Sequence, residues 1–276
     1  MRVNFAKMQA LGNDFVVVDL ISQYLKLHMA HIKRIASRHF GIGCDQVLLI
    51  EPPLSEDSDF CFRIFNSNGQ EAEFSGNGAR CAARFFHNFG FTNRTHLKAD
   101  CLAGKIELNI SDNETITVGM GKPRFAPEEI PFIAPKQSMI YSLMVDNAPV
   151  EFAALSLGNP HAVIQVPNLE TAPIKKLGNI LSKHSHFPKG VNVGFMQIMD
   201  PHHIRLRVFE RGAGQTLACG SGACAAAVAG IKQGLLESPV TVSFSKGKLK
   251  VTWDNPNGSI YLNGPASTVF IGEFRL

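Results

Sequence analysis

The sequence predicts an α+β protein of two pseudo-twofold-related lobes, each a mainly antiparallel sheet wrapped around a buried central helix. Three observations lead there. The chain repeats itself: RIFNSNGQEAEFSGNGARCAA (63–83) lies over RVFERGAGQTLACGSGACAAA (207–227) without a gap, a period far too long for a solenoid. Most of the remaining chain reads as short apolar or alternating runs rich in β-branched and aromatic residues, the mark of strands. Finally, ARCAARFFHNFG (79–90) and ACAAAVAGIKQG (223–234) are small or apolar on most faces, which suits a buried helix.

Taken in order, ALGND (10–14) opens the strand FVVVDL, and HMAHIKRIASRH (28–39) reads as an amphipathic helix. GIGCDQVLLI (41–50) and FCFRIF (60–65) are strands leading to the first small-residue helix; KIELNI and TITVGM follow it. PRFAPEEIPFIAPKQ (123–137), with four prolines, is the expected connection between lobes. The second half then repeats the order. IYSLMV precedes SLGNP (156–160), the counterpart of ALGND; next come HAVIQV, the amphipathic PIKKLGNILSKH (173–184), and GVNVGFMQI (190–198), a loose echo of GIGCDQVLLI. IRLRVF, the second small-residue helix, VTVSFS, LKVTW, SIYL and ASTVFIG complete the chain. The expected division is residues 1–119 plus 265–276 against residues 120–264.

Composition excludes several function classes. With 276 residues, 45% hydrophobic and 18% charged, this is an ordinary soluble globular composition. The net charge of +4 is spread along the chain, without the basic runs or finger spacing of a nucleic-acid binder. No apolar run approaches a bilayer span, and the start has no signal-peptide pattern, so the expected location is the cytoplasm. There the six cysteines are expected as thiols. None forms a CxxC pair, and His184, His186, His202 and His203 lie in polar connectors without a ligand cluster; no metal is expected. Neither a dinucleotide glycine fingerprint nor a P-loop is present, and no cofactor is expected.

The chemistry concentrates at two helix starts. In Cys219-Gly220-Ser221-Gly222 a thiol stands before a helix whose first turn has free N–H groups and the positive end of the dipole. Glycines let a carboxylate approach that backbone, and the thiol pKa is expected to fall. Ser75-Gly76-Asn77-Gly78 repeats the pattern, with Ser75 on Cys219, Gly76 on Gly220 and Gly78 on Gly222. Two such starts facing one cleft suit the inversion of a stereocentre beside a carboxylate, which needs a base on one face and an acid on the other.

KMQALGNDFVVVD, RHFGIGCDQVLLIEPP, FRIFNSNGQEAEFSGNGARCAARF, SLGNPHAVIQV, NVGFMQ and RVFERGAGQTLACGSGACAAAVAG together resemble the diaminopimelate epimerase family along essentially the full length. The resemblance implies cofactor-independent interconversion of L,L- and meso-diaminopimelate by two cysteines, with the active site in the cleft between the lobes, and a homodimer. It places the second cysteine at Cys219 and the first at Ser75, where this sequence departs from the family. It assigns Asn13, Asn66, Asn159, Asn192, Glu210 and Arg211 to the distal end of the substrate, and Gln46 to a nearby polar contact. Gly76, Asn77, Gly220 and Ser221 would cradle the reacting carboxylate, with His161 and Glu210 beside the catalytic pair. Amides and a carboxylate suit an ammonium, and a guanidinium fork suits a carboxylate.

Ser75 is nearly isosteric with cysteine and can cap the helix after it. Its hydroxyl is a far weaker acid than a thiol and is no base at neutral pH without a strong neighbour. The expected protein therefore binds diaminopimelate and turns it over very slowly. The alternatives are a one-base relative with dehydratase-like chemistry and a non-catalytic binder of a small zwitterion.

Overall fold

A computed structural model describes residues 1–111 and 115–276. Packing divides the chain into two compact units, Met1–Gly119 with Asn263–Leu276, and Met120–Leu262.

In the first unit β1 (Arg2–Ala10), β2 (Asn13–Asp19), α1 (Met29–Ala36), β3 (Gln46–Glu51), β4 (Phe60–Asn66) and β5 (Glu71–Ala72) lead to α2 (Gly76–Asn88). After it come β6 (His96–Cys101), β7 (Gly104–Ile110) and β8 (Thr115–Gly119). The second unit contains β9 (Tyr141–Val145), β10 (Ala148–Ser156), β11 (Pro160–Gln165), α3 (Ile174–Leu181), β12 (Asn192–Asp200), β13 (His203–Glu210) and β14 (Gly214–Thr216). These precede α4 (Gly220–Lys232), β15 (Val240–Phe244) and β16 (Gly247–Thr252). β17 (Tyr261–Pro265) returns the chain to the first unit, where β18 (Ser267–Arg275) ends it.

The same ladder is built twice. β1–β2 is antiparallel, β2–β3 parallel, β3–β4 antiparallel, β4–β6 parallel and β6–β7 antiparallel. The series β10–β11, β11–β12, β12–β13, β13–β15 and β15–β16 repeats those senses one for one. Register is kept as well: Ile64 pairs with Ala72 where Val208 pairs with Thr216. On the outer side of each ladder β18 pairs with β1, and β9 with β10, both antiparallel.

Each small-residue helix lies inside its own sheet. α2 is buried from Gly76 to Phe86 and touches β1, β2, β3, β4, β7, β8 and β18. α4 is buried almost throughout and touches β10, β11, β12, β13, β15 and β16. In α4 alanine and glycine allow that enclosure, because strands pack against a nearly bare helical backbone, whereas α2 also buries Arg80, Arg84, Phe85 and Phe86. The amphipathic helices lie outside: α1 buries Ile32, Ile35 and Ala36 in a cluster with Val16, Val47 and Leu49. α3 buries Ile174, Gly178 and Leu181 over β13.

Two expectations need correction. The proline-rich segment 123–137, expected as a connection, is packed: within the second unit, where the expected division at residue 120 already put it, Ile130 and Phe132 lie in the core with Phe152 and Phe187. Its prolines bracket a turn of 3-10 helix at Pro127–Glu129. The pattern also concealed β1, β6 and β10, whose polar or proline residues break the apolar runs. In β1, Lys7 is buried because its ammonium meets Asp14 at 2.6 Å. The two chain ends adjoin in the first unit, with Met1 and Leu276 exchanging two backbone hydrogen bonds of 2.9 and 3.2 Å.

Candidate active site

Ser75 and Cys219 are the N-caps of α2 and α4, both with extended backbone (φ −147° and −134°). The Gly78 N–H donates to Ser75 Oγ at 3.2 Å, and the Gly222 N–H to Cys219 Sγ at 3.4 Å. Each cap satisfies one orphan donor of its helix and leaves the preceding first-turn N–H groups for a ligand. At both third positions a side chain would be crowded. A Cβ on Gly78 would stand 3.3 Å from Ile64 and Leu48, and one on Gly222 3.1 Å from Val208 and 3.3 Å from Cys219 Sγ.

The remaining candidates assemble around these caps within their own units. In the first unit the Leu11-Gly12 turn, with φ of 54° and 84°, starts β2 at Asn13, a geometry that tight hairpins favour. Asn77 Nδ2 donates to Asn13 Oδ1 at 3.2 Å. Gln46 and Asn66, paired across β3 and β4, join through Gln46 Nε2 donating to Asn66 Oδ1 at 2.9 Å. In the second unit Asn159 follows a turn at Gly158 (φ 89°) and donates to Ser221 Oγ at 3.4 Å. That pair is the counterpart of Asn13 and Asn77. Ser221 Oγ is 3.6 Å from Cys219 Sγ, His161 Nε2 is 2.9 Å from Asn159 Oδ1, and His161 sits opposite Asn192 in the parallel register. Asn192 Oδ1 accepts the Arg211 N–H at 2.9 Å, and Arg211 Nη1 donates to the Lys189 carbonyl at 2.5 Å. Gly76 and Gly220 open their helices, both buried.

The electrostatics differ from expectation at the thiol. Cys219 is only 6% exposed, and burial, followed by the charge of Glu210, pushes its pKa well above the ordinary thiol value. Contacts from Ser221 and Gly222 act the other way but do not prevail. The expected fall is thus overturned, because the helix N-terminus is one influence among several. Glu210 itself accepts a short hydrogen bond from the Thr216 hydroxyl. His161 is buried and pushed down to about 3, by burial first and by the Arg211 charge second; it is a neutral imidazole whose Nε2–H donates to Asn159.

The sequence pattern did not reveal the charged groups behind Asn13. Asn13 Nδ2 donates to Asp45 Oδ2 at 3.0 Å, and Arg38 bridges Asp45 and Asp14 at 2.7 and 2.8 Å. Burial raises the Asp14 pKa, but hydrogen bonds from Arg38 and Lys7 outweigh it and hold the carboxyl far below its usual range. Arg80, fully buried, donates to Asn77 Oδ1 at 2.7 Å. Among the described residues no three His, Cys, Asp or Glu side chains converge as a metal cluster.

The family model for diaminopimelate epimerase matches residues 5–126 and 153–269, taking in both helix starts. The chain belongs to the diaminopimelate epimerase family. It is 51% identical over 276 residues to the diaminopimelate epimerase of Nitrosospira multiformis, covering 100% of this chain and 99% of that one. To the Pseudomonas aeruginosa diaminopimelate epimerase it is 49% identical, with full coverage of both. Solved structures share the fold at low identity. A phenazine biosynthesis protein of Bacillus anthracis superposes with TM-score 0.69 at 17% identity over 100% of each chain. A hydroxyproline epimerase of Agrobacterium vitis does so with TM-score 0.70 at 14%, covering 99% of this chain and 92% of that one. The duplicated ladder of the diaminopimelate epimerase family is therefore a frame used well beyond it.

Proposed function

We propose that this chain binds diaminopimelate and carries the machinery to interconvert its L,L and meso forms without an organic cofactor, at a rate severely limited by Ser75. The observation that carries the reading is the pair of capped, glycine-lined helix starts in a chain of this family. In this reading the first-turn N–H groups at Gly76, Asn77, Gly220 and Ser221 hold the reacting carboxylate. Cys219 and the residue at position 75 address the two faces of the adjacent carbon. Asn13, Gln46, Asn66, Asn159, Asn192, Glu210 and Arg211 hold the distal amino acid end.

The α-proton passes to the sulfur of an ionised Cys219, and the electron pair left on carbon is delocalised into the bound carboxylate. Inversion then needs a proton from the opposite face. A thiol at position 75 supplies it; the Ser75 hydroxyl, a much weaker acid, does so poorly. Return of the proton by Cys219 to its own face gives exchange with retention. In this reading Glu210, whose charge and hydrogen bond act on the Cys219 thiol, takes the thiol proton, and neutral His161 fixes Asn159.

The test is incubation of this chain and its Ser75→Cys form with each isomer in D2O, reading α-deuterium and stereochemistry. Ser75→Cys is expected to raise epimerisation by about 10²–10⁴-fold, the usual worth of a general acid–base group. Equal, rapid epimerisation by both forms removes the proposed limit at Ser75. Absence of epimerisation in both removes the two-base reading and favours dehydratase-like chemistry or simple binding.

We further propose a cytoplasmic homodimer. No helix among the described residues is long and apolar enough to cross a membrane. β18 presents Val269, Phe270 and Ile271 at 48–66% exposure, an apolar strand surface that a second copy would cover.

A further inference from the structure

We propose that Asp45 and Arg80 are positioning residues that clamp the amides of Asn13 and Asn77 in a single orientation. The proposal deepens the substrate reading above and rests on it for its functional meaning.

Four side chains form one directed chain in the first unit. Arg80 Nη2 donates to Asn77 Oδ1 (2.7 Å), Asn77 Nδ2 to Asn13 Oδ1 (3.2 Å), and Asn13 Nδ2 to Asp45 Oδ2 (3.0 Å). A guanidinium only donates and an ionised carboxylate only accepts. These two ends therefore decide both amides between them. Turning Asn77 over would place its NH2 against Arg80. Turning Asn13 over would place its oxygen against the Asp45 carboxylate and its NH2 against that of Asn77. Turning both would leave like groups facing at each charged end. Only one arrangement has every donor on an acceptor, and it leaves each amide one N–H and one oxygen lone pair for a ligand.

Both ends are themselves held. Arg80 also donates to the carbonyls of Gly76 at 3.3 Å and Pro265 at 3.2 Å. Asp45 accepts from Arg38 at 2.7 Å and from the Asp14 N–H at 3.2 Å, while the Asp45 N–H donates to Asp14 Oδ1 at 2.8 Å. The second unit does this differently. There Asn159 accepts from the neutral His161 and donates to Ser221, so the amide is held by an imidazole and a hydroxyl and not by a guanidinium and a carboxylate. The clamp thus belongs to the unit containing Ser75, and preorganises donors that the substrate would otherwise have to orient.

Asp45 carries the test, because it is exposed whereas Arg80 is fully buried. Binding of meso- and L,L-diaminopimelate is measured by calorimetry for this chain, Asp45→Leu, Asp45→Asn, Asn13→Ala and the double variant Asp45→Leu with Asn13→Ala. Side-chain amide signals are followed by ¹⁵N NMR without ligand. Asp45→Leu should weaken binding about tenfold, in line with loss of a hydrogen bond to a charged group. Asp45→Asn keeps one acceptor oxygen where the carboxylate uses two, for Asn13 and for Arg38, and should lose part of the affinity that Asp45→Leu loses. In the Asn13→Ala background Asp45→Leu should add less than about twofold, the sign of action through one partner. The Asn13 NH2 pair should lose its slow exchange in Asp45→Leu alone. Equal losses in both backgrounds, or an Asn13 signal indifferent to Asp45→Leu, overturn the clamp. Failure of the parent chain to bind either isomer overturns the substrate reading instead, and the amide signal then decides the clamp by itself.

Discussion

Cys219 holds its proton more tightly than a free thiol, so its reactivity should be low at neutral pH and rise steeply in alkali. Carbamidomethylation of the Cys219 peptide, followed by mass spectrometry, should accelerate only above pH 9. Glu210→Gln removes the neighbouring negative charge and should move that profile to lower pH. An unchanged profile would mean that burial alone sets it. A related sign applies to stability. The Cys81 thiol, buried in α2, is pushed up to about 12 by burial. Its protonated form is favoured on folding, so this contribution is constant below the unfolded value near ~8.5 and is lost as pH rises toward the folded one. The unfolding free energy from urea titration should fall above pH 9, by about 1.4 kcal/mol per pH unit for such a thiol, with a shallower slope in Cys81→Ala. His161 has the opposite sign. Pushed down to about 3, it costs stability as pH drops below the ordinary histidine range. At this scale the sequence was legible where residue type decides the outcome, as in the Ser75 and Cys219 caps. It misled where the outcome depends on what folding brings alongside. A dipole argument could be made from CGSG, but the approach of Glu210 and the depth of burial could not.

The helices show how local sequence and packing share control of the site. α3 presses on β13 through Gly178, where an added Cβ would lie 2.5 Å from the Phe209 ring. Gly178→Ala must displace Phe209, the residue before Glu210. Overpacking of this kind costs about 1–3 kcal/mol, and the thermal midpoint should drop accordingly. In the Ser75→Cys background epimerisation should fall too, because Glu210 moves with Phe209; a variant destabilised with unaltered kcat would separate the two effects. Patterning found the helices well because α1 and α3 carry one apolar face and α2 and α4 are small or apolar on most faces. It failed for β1 and β10, since the pairing that buries Lys7 and the proline within β10 are settled by neighbours distant in sequence. The segment 123–137 failed for a similar reason: four prolines suggest an extended link, yet Ile130 and Phe132 find a core to enter.

For the molecule as a whole, duplication was the most legible property, because the offset of 144 from Arg63 to Arg207 persists into the ladder register of β4–β5 and β13–β14. The exposed surface of β18 was not legible: ASTVFIG reads like any buried strand until its outward residues are seen. If that strand joins two copies, Ile271→Lys should yield a monomer in sedimentation velocity at micromolar concentration, with secondary structure retained. A dimer that survives the change would put the interface elsewhere.

The backbone bonds between Met1 and Leu276 have a further consequence for the order in which the two repeats are written. A chain starting at Met120, with a short linker from Leu276 to Met1 and ending at Gly119, would encode one complete half and then the other. The first half is presently split, since its final strand is reached only after the whole second half has been made. Circular permutation at that point would let each half emerge from the ribosome uninterrupted.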